Sequence, residues 1–167
     1  MARKESAGLL LFRRCQGRLE VLLAHPGGPF WKDRDAGAWT IPKGGIHDGE
    51  DPLATAIREF TEETGFMPEP PFVPLGSIIQ RSGKVVHAWA FEGDCDPSQL
   101  RSITTTTEWP PRSGRKIEIP EIDRGQFFTL DDARRAINVA QVALLERLVR
   151  ILEEPTSSGV KSTRRPE

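Results

Sequence analysis

Three glutamates crowd one short stretch of the chain: Glu59, Glu62 and Glu63 within Pro52–Thr64. Asp51 is a good N-cap, Pro52 a good first helical residue and Gly65 a good stop, so this stretch reads as a helix. At about 100° per residue, with Glu59 set to zero, Glu63 falls near 40° and Glu62 near 300°. The three carboxylates therefore share one face. Leu53, Ile57, Phe60 and Thr64 fall between about 100° and 160° on the same wheel, as a separate apolar stripe. A solvated acidic face is the ordinary reading of such a run. Two costs stand against it. Like charges three and four residues apart destabilise a helix by roughly 0.2–0.5 kcal/mol per pair. These acids also lie in the C-terminal turns, where the helix dipole disfavours negative charge. Three hard oxygen donors converging on one spot suit Mg2+ or Mn2+ instead. Arg58, the single cation on the helix, adjoins Glu59 and can fix a carboxylate through a bidentate pair. Upstream, the glycines of Lys43-Gly44-Gly45 let backbone approach a ligand or metal closely. Mg2+ held by a few carboxylates commonly shares its shell with substrate phosphates, and Lys43 adds a cation for them.

The elements that must position these residues can be read coarsely. Ser6–Arg13 is a continuously apolar, buried strand and Arg18–Ala24 a second, with Cys15-Gln16-Gly17 as the hairpin loop between them. His25–Gly37 is a Gly- and Pro-rich loop, long enough to be functional. Trp39-Thr40-Ile41 reads as a short strand and Pro42–Asp51 as a further loop leading into the acidic helix. Beyond that helix, Leu75–Gln80 and Val85–Phe91 pair as strands around Ser82-Gly83, and the Thr-rich Ser102–Thr107 is a further strand. Glu108–Ile119 reads as irregular and carries Arg112, Arg115 and Lys116; Gln126–Thr129 is a short strand. Thr129 caps a helix from Leu130, and a second helix, with Val142, Leu145, Leu148, Val149 and Leu152 at helical spacing, runs to about Glu153. This succession is of the α/β kind: α+β, or a mixed sheet sandwiched by helices. One domain over residues 1–153 and a disordered tail over 154–167 are expected.

The 167 residues are 37% hydrophobic and 28% charged, with a formal net charge of −1. That excludes affinity for nucleic acid or acidic membranes through bulk charge, but not a local basic pocket. No DNA-binding module is evident. Cys15 and Cys95 are too few for a disulfide framework or a zinc cluster, and they suit a reducing, cytoplasmic setting. The apolar run near the start is too short for a signal sequence or a membrane span. His25, His47 and His87 share no metal-ligand spacing.

Gly44–Phe66 reads GGIHDGEDPLATAIREFTEETGF. It resembles the signature of the Nudix hydrolases, G-x5-E-x7-R-E-U-x-E-E-x-G-U, at every constrained position: Gly44, Glu50, Arg58, Glu59, Phe60, Glu62, Glu63, Gly65 and Phe66. The order of elements from Ser6 to Glu153 is similar to that family's α/β/α sandwich. The resemblance implies Mg2+- or Mn2+-dependent hydrolysis of a nucleoside diphosphate linked to another group. It makes Glu59, Glu62 and Glu63 the metal ligands, with the Gly44 carbonyl as a further one. Arg58 would orient Glu59, and Glu50 would be the loop acid that supports the site. A carboxylate in the cluster, Glu62 or Glu63, or one in a later loop would take the proton of the attacking water. Glu121, in Pro120-Glu121-Ile122-Asp123-Arg124, resembles the glutamate-then-aromatic stretch of the asymmetric diadenosine tetraphosphate hydrolases. A loop acid capping Arg124 is the alternative, and Glu118 and Asp123 are neighbours able to substitute.

Ser6–Cys15 (SAGLLLFRRC) and Trp39–Gly44 (WTIPKG) also resemble the dinucleoside polyphosphate hydrolase branch. That branch stacks adenine between aromatic rings, often tyrosines, and this chain has no tyrosine. Trp31 and Trp109, in Pro-rich loops, are the candidates to stack a base; Trp39 and Trp89, in strands, read equally as core. Lys43, Gly44 and Gly45 are the candidates to cradle phosphates. Arg34, Arg81, Lys84, Arg112, Arg115 and Lys116 are outer-phosphate contacts or solvated charges. The expected partner is a small nucleotide, best a dinucleoside polyphosphate. A nucleotide sugar, a damaged dNTP, a capped RNA end or a diphosphoinositol would undergo the same chemistry. A nucleotide-sensing domain without turnover is the reading of another class, and the intact acidic box weighs against it.

Overall fold

A computed structural model describes residues 4–153 of the chain. The apolar run near the start forms the middle of β1 (Glu5–Cys15). Alternation along the strand sends Leu10 and Phe12 to one core cluster and Ala7, Leu9 and Leu11 to another. Both faces are covered, which is why the run is continuous rather than alternating. β2 (Arg18–Pro26) folds back antiparallel through Gln16-Gly17, whose φ values of 54° and 77° belong to a two-residue turn with both centres left-handed.

The other end of β1 takes β3 (Lys43–Gly45), paired antiparallel. β5 (Val85–Glu92) lies parallel to β1, and β4 (Val73–Ile79) runs antiparallel to β5. β8 (Ile122–Thr129) runs antiparallel to β2, giving a mixed sheet in the order β4-β5-β1-β2-β8. α1 (Pro52–Thr64) covers one face through Ala56 and Phe60. α2 (Leu130–Ala136) and α3 (Val142–Glu153) cover the other through Ala133, Ala136, Leu144, Leu145 and Leu148. The architecture is the expected α/β/α sandwich. At the β4 edge, Arg147 of α3 donates to the Leu75 and Ser77 carbonyls, both at 2.9 Å, and blunts the strand.

Three expectations need correction. Trp39-Thr40-Ile41 is not a strand but makes isolated bridges, Thr40 with Ala24 and Trp39 with Ile137. The strand falls just beyond it, in the stretch read as loop, because Pro42 has no N–H to give a ladder and pairing with β1 starts at Lys43. Glu108–Ile119 is not irregular throughout. Its second half is β7 (Lys116–Pro120), paired with β6 (Thr104–Glu108) as a separate two-stranded arm. Half-buried Ile117 and Ile119 alternate there with exposed Lys116 and Glu118. β8 begins at Ile122 rather than Gln126, since pairing with β2 carries the weak strand former Gly125 into the ladder and continues past Asp123 to Ile122. Among the described residues no helix is long and apolar enough to cross a membrane. Cys15 and Cys95 are free. The expected tail over 154–167 lies outside the described residues.

Candidate active site

α1 starts and stops as its sequence requires. The Asp51 carboxylate accepts the Ala54 N–H, and Gly65 takes the left-handed conformation at φ 82°. Phe60 plugs the core, edge-on to Phe91 at 5.3 Å. This docking turns the acidic stripe inward, so that Glu63 is only 6% exposed. The face is not a solvated one.

β3 meets that stripe. The Lys43 N–H donates to Glu63 Oε1 at 3.2 Å. The Glu59 carboxylate lies directly on Gly44: a Cβ there would stand 2.0 Å from its Cδ, so only glycine permits the approach. Arg58 fans out beside them. Its Nε and Nη2 fork onto the two Glu50 carboxylate oxygens, both at 2.9 Å. Its Nη1 donates to Glu59 Oε2 at 2.9 Å and reaches Glu62 at 3.4 Å. The bidentate pair thus goes to Glu50, with Glu59 held by the remaining donor. Glu50 also accepts the His47 N–H at 3.1 Å. The Arg58 hydrogen bonds come first and the His47 contact second in holding its carboxyl down at about 2.

The charges inside the cleft are poorly compensated. Burial first, then the neighbouring Glu59, pushes Glu63 up to about 8, with Glu121 adding to the rise and Lys43 opposing it. Burial also raises Glu59, against the pull of Arg58. Lys43 is lowered by burial and by Lys84. Partly desolvated carboxylates that repel one another invite either a proton or a cation. Hard oxygen donors of this kind fit Mg2+ or Mn2+. Among the described residues, no three His, Cys, Asp or Glu side chains are set closely enough to hold an ion as they stand. The Glu62 side chain is 35% exposed and its carboxylate lies 3.4 Å from Arg58 Nη1.

A cleft of about 290 Å3 opens over this cluster, lined by Lys43, Gly44, Glu63, Lys84, Glu121 and Ile122 among others. Glu121 reaches it from the junction of β7 and β8. Its N–H donates to the Ile103 carbonyl at 3.0 Å, and the Ile103 N–H donates to the Glu62 carbonyl at 3.0 Å, which ties the junction to α1. Arg124 pairs with Asp123 at 3.4 Å, so the capping role considered for Glu121 falls to Asp123. Glu118 is exposed on β7. Of the three acids considered, Glu121 is the one lining the cleft.

Other candidates are placed elsewhere. Gly45 lines a neighbouring depression with Lys4, Glu5, His47 and Glu50, and Lys84 borders both hollows. Trp31 stands in the loop after β2, edge-on to Phe30 at 4.9 Å, and Trp109 sits beyond β6, its N–H donating to the Arg115 carbonyl. Neither lines the cleft. Trp39 is core, 2% exposed, its indole N–H donating to Asp35 at 2.7 Å. A pair of residues went unread in the sequence: wholly buried His25 lies 3.0 Å from Asp123, a partner 98 positions away that no local spacing rule connects.

The sequence matches the family described as NUDIX domain over residues 2–148. The chain belongs to the Nudix family. An RNA pyrophosphohydrolase of Agrobacterium fabrum is 67% identical over 129 residues, covering 66% of this chain and 72% of that protein. An RNA pyrophosphohydrolase of Roseobacter denitrificans is 41% identical over 69 residues, 39% of this chain and 41% of its own length. The chain thus spans less than half the length of several curated Nudix relatives that it matches. The crystal structure of a C. elegans Ap4A hydrolase binary complex superposes with a TM-score of 0.64 at 23% identity, covering 88% of this chain and 97% of that one. At that identity the likeness shows the fold, and it is the Nudix sandwich described above.

Proposed function

We propose that this Nudix protein is a divalent-cation-dependent pyrophosphohydrolase that cleaves a phosphoanhydride bond in a nucleoside diphosphate derivative, with a dinucleoside polyphosphate as the leading substrate class. One observation carries the reading: Glu59 lies against Gly44 and Glu63 accepts the Lys43 N–H, so both carboxylates meet β3 where Lys43, Gly44, Glu63, Lys84 and Glu121 line one cleft. Glu59, Glu63 and the Gly44 carbonyl would hold Mg2+ or Mn2+, and Glu62 would join them by turning from Arg58. When bound, such an ion neutralises the diphosphate and acidifies water for attack on phosphorus. The chain's own residues do the rest. Arg58, anchored on Glu50, orients Glu59. Lys43 and Lys84 offer ammonium groups to the non-bridging phosphate oxygens. Glu121, across from Glu63, takes the proton of the attacking water. Trp31 and Trp109 are stacking surfaces for a base extending out of the cleft. Free cysteines fit a reducing, cytoplasmic setting.

The relatives named RNA pyrophosphohydrolase support a second reading of the same chemistry, on a phosphorylated or capped RNA 5′ end. The test is a panel of diadenosine tetraphosphate, a 5′-triphosphate RNA oligonucleotide, a capped oligonucleotide and a nucleotide sugar. Each is incubated with Mg2+ or Mn2+, with and without chelator, and the products are identified. Chelator-sensitive cleavage of a phosphoanhydride is expected, and the compound turned over fastest separates the two readings. A panel left intact with both ions refutes them together.

A further inference from the structure

β2 and β8 keep register from Glu20 opposite Thr129 to His25 opposite Arg124; beyond that point Pro26 faces Ile122. Asp123 is the extra residue, so the ladder bulges just after Glu121. A bulge bends its strand and re-aims the neighbouring side chains. His25 grips the bulge from inside the core. Its Nδ1 lies 3.0 and 3.3 Å from the two Asp123 carboxylate oxygens, its Nε2 lies 2.6 Å from the Arg34 carbonyl, and its ring stands edge-on to Trp39. Pro26 has no N–H, and the first donor after it, the Gly27 N–H, goes to the Glu121 carbonyl at 3.1 Å. The seat is close-fitting. A Cβ on Gly27 would lie 2.1 Å from the Pro120 carbonyl oxygen, and one on Gly28, at φ +96°, 2.7 Å from Ile119 Cδ1. The backbone of Glu121 is therefore held on one side by Gly27 and on the other by Ile103.

We propose that the buried His25–Asp123 pair and the Gly27-Gly28 seat form a positioning clamp that aims Glu121 at the scissile phosphoanhydride. The role assigned to Glu121 rests on the function proposed above. The strands themselves do not need the pair, since the ladder from Glu20 to Ala24 already joins β2 to β8. What the pair adds is a fixed bulge. A catalytic base displaced by about 1 Å can lose on the order of a hundredfold in rate, so a fixed bulge has kinetic value.

The test uses Asp123→Ala and Asp123→Asn, because the Asp123 side chain is 29% exposed, so its truncation opens onto solvent rather than leaving a sealed cavity. Hydrogen exchange at the Gly27 amide is measured without substrate. kcat and KM are measured on the panel compound that the wild type cleaves with Mg2+. In Asp123→Ala, Gly27 exchange should quicken about tenfold or more while α1 amides keep their protection, and kcat should fall roughly ten- to a hundredfold with KM little changed. Asp123→Asn keeps an acceptor for the imidazole and should restore most of both. Added to Glu121→Gln, Asp123→Ala should cost nothing further. Unchanged Gly27 exchange, or an equal loss of kcat in both backgrounds, overturns the clamp. Full activity of Glu121→Gln alone overturns the proton-acceptor role of Glu121, and Gly27 exchange then decides the clamp by itself.

Discussion

Replacing Gly44 with alanine puts a methyl group where the Glu59 carboxylate now lies. The new Cβ would stand 2.0 Å from Glu59 Cδ and 2.1 and 2.4 Å from its oxygens, whereas ordinary contact begins at 3.4 Å. The carboxylate must therefore retreat by about 1.4 Å, the difference 3.4 − 2.0. It is the far end of a flexible side chain, so it can turn away without moving backbone. Gly44 is not among the residues with positive φ, so alanine adds no strain of its own. Fold and catalysis should part company. Thermal unfolding should change little, while a shift of this size at a carboxylate proposed to hold the metal should lower kcat on the order of a hundredfold, or about 2.7 kcal/mol in barrier. Mn2+ binding, followed by electron paramagnetic resonance of the free ion, should weaken in parallel. The paired measurements are kcat at saturating Mg2+ and the midpoint of thermal unfolding. If Gly44→Ala keeps wild-type kcat and Mn2+ affinity, then the close approach of Glu59 to β3 has no part in catalysis.

Glu62→Gln and Glu63→Gln should each reduce kcat by a factor on the order of a hundred in steady-state assays with Mg2+. Glu63 also makes a pH prediction. Its carboxyl is raised to about 8 in the folded chain, against about 4.3 unfolded, so between those values the folded state binds the extra proton. Its contribution to metal-free stability therefore falls as pH rises from about 4.3 to 8, and Mg2+ should raise the unfolding temperature more at pH 8 than at pH 6. Glu63→Gln should abolish that difference, as differential scanning fluorimetry can show. Arg58→Lys keeps the charge but not the fork onto Glu50, and it should lower kcat at least tenfold without rescue by added Mg2+. Glu121→Gln should lower kcat on the order of a hundredfold or more, as loss of a proton acceptor does; an unchanged kcat reassigns the proton to a carboxylate of α1.

What the sequence made legible was what local spacing encodes. α1 could be drawn with its cap, its stop and its acidic stripe, because period, capping and charge all lie within Asp51–Gly65. Lys43 and Gly44 followed from their place just upstream. The bidentate partner of Arg58 was less accessible: proximity in sequence favours Glu59, but the loop folds Glu50 back so that the fork meets it. The inward turn of the acidic stripe was not readable from the wheel alone, since a wheel shows which residues share a face and not what that face meets.

The remaining parts of the site depend on pairings between distant strands. Glu121 enters the cleft because β8 starts at Ile122 and bulges at Asp123, and neither event has a local signature: the strand is carried through Gly125 and past Asp123 by β2. The β6–β7 arm was hidden for a related reason. Its alternation of Ile117 and Ile119 with Lys116 and Glu118 is only a few residues long and follows a stretch of proline and arginine that reads as irregular. Lys84 looked like one surface cation among several until the return of β4 into β5 set it beside Lys43. His25 shows how such pairings assign a role. In the sequence it is a lone histidine at a strand end; in the fold its two ring nitrogens meet Asp123 and the Arg34 carbonyl. One buried ring thus joins a strand end, the Gly-rich loop and the bulge beside Glu121, and a chemical group at that junction can govern the cleft without entering it.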